Sequence, residues 1–147
     1  MNRKRAFTLT ELMVVVILIG IIAAFALPNY QKSIRKAHER DAVVQLMAIH
    51  AASLIYHAQA DKFPENTPTL VDINRELGLN VIANGMDYTY SSTTPDEFYA
   101  TAQWPGDDSF TIYIDQRPIE KDTNPCCSKD HGDCPSLQEC GPIELPG

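Results

Sequence analysis

Residues 3–31 read RKRAFTLTELMVVVILIGIIAAFALPNYQ. Three basic residues, Arg3, Lys4 and Arg5, precede Ala6 and Phe7; one acid follows, Glu11, and then Leu12 to Leu27 carries no charged side chain. As a helix that uncharged run is about 24 Å long, and counted from Phe7 it is about 32 Å, against a hydrocarbon core about 30 Å thick. The stretch therefore spans a bilayer only with Glu11 taken into the membrane segment. An acid at the helix centre costs about 2.5–3.5 kcal/mol on insertion scales, and less near the end, so Glu11 is expected to have a partner. The basic cluster predicts a cytoplasmic N-terminus and export of the chain after Pro28.

From Phe7 to about Ala60 only Gly20 and Pro28 interrupt a helical pattern, which predicts one very long helix, bent at Pro28 where one backbone hydrogen bond is lost. Asn29 to Asp41 is polar and charged. Beyond it Ala42, Leu46, Ile49, Ser53, Tyr56 and Ala60 recur at three- and four-residue steps, flanked by Val43 and Leu54, so one stripe faces a core. Phe63-Pro64 closes the helix. Thr67 as cap, Pro68 at the first helical position and Gly78 as stop predict a short helix with Leu70, Ile73 and Leu77 on its apolar face. Asp87–Ser92, Glu97–Gln103 and Ser109–Asp115 are rich in Tyr, Phe, Thr and Ile, which predicts a three-stranded antiparallel meander with turns at Pro95-Asp96 and Pro105–Asp108. After Arg117-Pro118 the chain reads as an irregular tail. The fold class is α+β: a long bent N-terminal helix packed on a small antiparallel sheet and closed by a disulfide-bonded C-terminal loop. Three segments follow: 1–6 a leader, 7–28 an apolar helix, and 29–147 an exported head.

The chain has 147 residues and a formal charge of -7, and all four cysteines fall in its last quarter. That charge argues against nucleic acid as partner, since phosphate binding needs clustered Lys and Arg. With export, Cys126, Cys127, Cys134 and Cys140 read as disulfides rather than, with His131, a zinc site. A Cys126–Cys127 bridge is disfavoured, because adjacent Cα atoms are about 3.8 Å apart, below the usual disulfide range. Two pairings stay open: Cys126–Cys134 with Cys127–Cys140, slightly preferred, or Cys126–Cys140 with Cys127–Cys134. His38, His50 and His57 read as surface or core-edge residues. Gly106-Asp107-Asp108-Ser109 reads as a hairpin turn, with calcium the less economical reading. No nucleophile elbow, phosphate loop or carboxylate pair supports an enzyme, and no cofactor or metal is expected.

The ordered set of a basic leader, small Ala6, aromatic Phe7, Glu11 four residues on, an unbroken apolar run and Pro28 at its end resembles the N-terminus of type IV pilins and of the pseudopilins of type II secretion systems. The motif covers about the first 30 residues; the helix–sheet–cysteine-loop layout extends the likeness. Ala6 stands where the family usually has glycine, and Thr10 where it often has an aliphatic residue. The resemblance implies cleavage between Ala6 and Phe7 by a prepilin peptidase, N-methylation of Phe7, and a contact of Glu11 with the new amine of a neighbouring subunit. It implies anchorage in the inner membrane before assembly, assembly machinery as partner, and a helical homo-oligomer at the cell surface, or a periplasmic filament for a pseudopilin. Gly20 and Pro28 read either as ordinary tolerance within a membrane span or as the place where the helix bends or locally melts on packing into a filament. A minor pilin that primes or tips the filament has the same signature. From another class, Ala24-Phe25-Ala26 fits a conventional signal peptide cut after Ala26 and a secreted soluble binding domain; Glu11 before the apolar run and Pro28 after it do not suit that reading.

Overall fold

The structure is a computed structural model that describes residues 7–65, 67, 69–105, 109–119, 124–128, 134 and 136–141, with backbone only at 26–29. The elements are α1 (Leu9–Ala60), α2 (Leu70–Leu77), β1 (Asp87–Thr94), β2 (Glu97–Trp104), β3 (Phe110–Asp115) and β4 (Cys126–Cys127). The chain divides into two compact units, Met1–Arg35 and Lys36–Gly147. Helix α1 is unbroken through Gly20 and Pro28. It stops after Ala60, where Asp61 takes a positive φ of 55° and its N–H reaches the His57 carbonyl at 2.8 Å.

In the second unit the strands form one antiparallel sheet in the order β1-β2-β3-β4. Alternation puts Tyr88 and Tyr90 of β1, Phe98, Ala100 and Ala102 of β2, and Phe110, Ile112 and Ile114 of β3 in the core. Register explains the choice of size: Tyr88 and Ile112 both face Ala102, while Tyr90 and Ile114 both face Ala100. Small residues on the central strand leave room between bulky neighbours. Ala42, Leu46 and Ile49 of α1 belong to the same core cluster, with Ser53 buried in step, as the helical spacing predicts. Burial pushes the Tyr88 and Tyr90 phenols up from their ordinary pKa, and the Asp41 carboxylate adds to this at Tyr88, so both stay neutral.

Phe98 is the junction of this core. Its ring lies 4.7 Å from Phe63, 5.3 Å from Tyr90 and 5.9 Å from His50. His50 is buried rather than superficial, and its Nε2 donates to the Arg117 carbonyl at 2.9 Å. His38 lies against Trp104 at 4.1 Å and His57 against Phe63 at 4.5 Å.

Helix α2 corrects one expectation. Its cap is Thr69, not Thr67. The Asp72 N–H donates to Thr69 Oγ1 at 3.2 Å, and that hydroxyl donates to the Asp72 carboxylate, which it holds below the usual carboxylate range. Thr67 instead bridges to Tyr90 beside the sheet. At the other end Gly78 takes the left-handed conformation, φ 64°, as its sequence position predicts.

The sheet has a fourth strand, in the segment whose composition predicts an irregular tail. Cys126 pairs with Tyr113 and Cys127 with Ile112. The bridges are Cys126–Cys140 and Cys127–Cys134, which corrects the preference for the other pairing. The reason is alternation. Adjacent residues of a strand point to opposite faces, so Cys127, opposite core-facing Ile112, meets Cys134 at the core, and Cys126 bonds Cys140 on the other side. The proposed turn at Gly106, Asp107 and Asp108, and His131 in the tail, lie outside the described residues.

One charged residue of α1 is fully inside. Glu39 is 1% exposed, and its carboxylate accepts from the Ser136 N–H at 3.1 and 3.2 Å and from the Ser136 hydroxyl at 2.5 Å. It ties the cysteine tail to the helix. Glu39→Ala should cost about 1.5–3 kcal/mol, the range for hydrogen bonds to a charged group. Amide exchange at Ser136–Cys140 should speed up more than exchange in β2, and equal protection in both proteins would refute the tie.

Candidate assembly and processing segment

Among the described residues of the first unit none is buried. Leu12, Met13, Val14, Val15, Val16, Ile17, Leu18 and Ile19 are all exposed, as are Ile21, Ile22 and Phe25. The helix is long and apolar enough to cross a membrane by length and composition. A contiguous apolar surface of this extent marks a membrane or protein contact.

The start of this helix is closed by its own side chains. Thr8 N–H donates to Glu11 Oε2 at 2.9 Å, Thr8 Oγ1 donates to the same oxygen at 2.8 Å, and the Glu11 N–H donates to Thr8 Oγ1 at 3.2 Å. This is a reciprocal capping box, in which two otherwise unpaired backbone donors of the first turn find acceptors. Glu11 is thus held by Thr8 within one chain, through one of its two carboxylate oxygens. The apolar run points to a charged partner for Glu11, whereas Thr8-Leu9-Thr10-Glu11 carries the T-x-x-E spacing of a cap.

Of the other predicted site residues, Phe7 is 78% exposed and directly precedes the cap, so its backbone is open to chemistry. Gly20 has open space around it and Pro28 lies within the continuous helix. Ala6 lies outside the described residues. Phe7 lies just before α1 and Glu11 in its first turn, whereas the four cysteines belong to the second unit and form a separate, structural feature. Among the described residues no group of three or more His, Cys, Asp or Glu side chains is placed to hold a metal.

An apolar helical stem that begins at an exposed aromatic and a capping glutamate, joined in sequence to an α+β head, defines a protein with a prepilin-type N-terminus. The prokaryotic N-terminal methylation motif matches residues 1–27. The chain is 38% identical over 63 residues to the type IV major pilin protein PilA of Myxococcus xanthus, covering 43% of this chain and 29% of that protein. It is 34% identical over 64 residues to the type II secretion system core protein G of Klebsiella pneumoniae, covering 44% and 46%, and 40% identical over 83 residues to fimbrial protein Q of Moraxella bovis, covering 54% and 50%. The N-terminal part of the chain is thus similar to those of type IV pilins and type II secretion pseudopilins. The similar stretches span half or less of each of these three relatives.

Proposed function

We propose that this chain is a structural subunit of a type IV pilus-like filament. It is held in the inner membrane by residues 7–28, trimmed between Ala6 and Phe7 by a prepilin peptidase that also N-methylates Phe7, and then polymerised through the same helix. The observation that carries the proposal is the exposed apolar stretch of α1 from Leu12 to Phe25, beginning directly after the Thr8–Glu11 cap. A surface that apolar is stable in lipid and equally stable against copies of itself, so one segment serves first as anchor and then as polymer core. Cleavage creates an α-amine near Glu11, and the carboxylate pairs with the amine of a neighbouring subunit. An uncompensated charge in an apolar core costs several kcal/mol, so this pairing fixes register. Gly20 and Pro28 are where the helix bends or locally melts on packing. Residues 29–147 form the exported head, coating the filament, with the cysteine bridges holding its tail.

The similarity to the Klebsiella secretion core protein G favours a second reading, a pseudopilin of a short periplasmic filament. Mass spectrometry of isolated filaments tests processing. The expected subunit begins at Phe7 and carries a methylated amine. A subunit retaining Met1, or one beginning at Leu27 after a conventional signal cut, would overturn the proposal. Recovery of the filaments from the medium or only from the periplasm separates pilus from pseudopilus.

A further inference from the structure

Glu39, Ala42, Leu46, Ile49 and Ser53 of α1 are buried at steps of three, four, three and four residues. Glu39 therefore opens the core-facing stripe of the helix, at a position where an apolar side chain is the rule. Among the described residues only Ser136 donates to its carboxylate. Ser136 is held in place from both sides. It lies two residues after Cys134 and four before Cys140, and these are bonded to Cys127 and Cys126 of β4. Besides the cysteines, Pro135 and Leu137 are the only apolar side chains from Ser128 to Gly141. So little apolar surface orders a chain segment poorly, and the two bridges are what bring Ser136 to the helix.

We propose that Glu39 makes the head redox-sensitive: closed bridges supply the hydrogen-bond donors of a buried carboxylate on α1, and open bridges withdraw them. Each bridge opens by exchange with a dithiol. Two electrons and two protons pass from the dithiol to the bridge, leaving two cysteine thiols and the dithiol's own disulfide; exchange with an oxidant disulfide reverses the step. A buried carboxylate without donors is far less stable than one in water, and less stable than an apolar side chain in the same place. The effect of opening therefore falls on α1, 97 positions from Ser136, as well as on the tail. A chain whose cysteines are still reduced carries an unsatisfied carboxylate in its core, and oxidation completes the head. The coupling is independent of the filament-subunit reading, because Glu39, Ser136 and the four cysteines all belong to the second unit.

The test compares amide exchange in the full chain in detergent, oxidised and after dithiothreitol, for the unsubstituted protein and for Glu39→Met. Methionine removes the carboxylate and leaves an unbranched apolar side chain, so opening the bridges strands no polar group on α1. Reduction should speed exchange across residues 36–46 of the unsubstituted chain by about tenfold or more, the size expected for a buried group that loses its partners. In Glu39→Met the same treatment should speed it by less than about threefold. Equal acceleration in the two proteins, complete loss of protection in both included, overturns the proposal, as does no acceleration in the unsubstituted chain. Glu39→Gln, which keeps the shape and removes the charge, should fall between them. If the methionine chain does not fold when oxidised, the glutamine chain decides: acceleration as large as in the unsubstituted protein overturns the coupling.

Discussion

Glu11→Gln should leave the membrane-inserted monomer at its normal level and reduce filament yield by about 100-fold or more. The substitution separates the capping role that the structure gives this side chain from the assembly role proposed for it. As a cap, Glu11 accepts from Thr8, and glutamine at the same position of a capping box serves equally well. As an assembly group, its charge is proposed to meet a neighbour's amine, and removing one partner of a buried pair costs about 3–5 kcal/mol, each 1.4 kcal/mol being a factor of ten. Glu11→Ala loses both, adding about 1 kcal/mol for the cap. Thr8→Val is the converse: it removes the hydroxyl and keeps the carboxylate, so it should weaken the first turn and spare most assembly. Filament yield against inserted monomer, by immunoblot of sheared and membrane fractions, gives the comparison. Normal polymerisation of the glutamine variant would eliminate the pairing.

The second large effect belongs to the head. Phe98→Ala should destabilise it by about 3–5 kcal/mol, the range for a deleted core aromatic. Phe98 is 2% exposed and meets side chains from α1, the loop after it and β1, so its loss opens a cavity that no single element can collapse into. For comparison, Val71→Ala, at an exposed position of α2, should change stability by less than about 0.5 kcal/mol. Thermal melts with the disulfides intact measure both. Equal losses from the two variants would mean that the core is not organised around Phe98.

Much of this architecture could be read in the chain because strong, periodic signals carried it. The helical spacing from Ala42 to Ser53 and the alternation of Tyr, Phe, Ala and Ile in three strands each matched one buried face. The rest had no such signal. β4 is two residues long, too short to show alternation, and with it went the information that sends Cys126 and Cys127 to opposite faces. Glu39 looked like any charged residue of a polar stretch; only the fold brings Ser136, 97 positions away, against it. The Thr67–Pro68 pair imitated a helix start, and the hydroxyl two residues later won because it stands where Asp72 can return its hydrogen bond. At the start of α1, the glutamate was legible from its position beside an apolar run, but its partner in the chain is an uncharged threonine, which no charge pattern marks.

The short fourth strand has one more effect. A sheet's last strand normally offers a free row of N–H and C=O groups to any passing chain. Here the Cys127 N–H donates to the Gln138 carbonyl at 2.9 Å, and the Cys127 carbonyl accepts from the Cys140 N–H at 2.8 Å, so the tail folds back as a cover over that row. The two bridges hold the cover shut. A chain proposed to polymerise through its helix thus has this margin of its sheet closed to strand joining strand, the commonest route to disordered fibres.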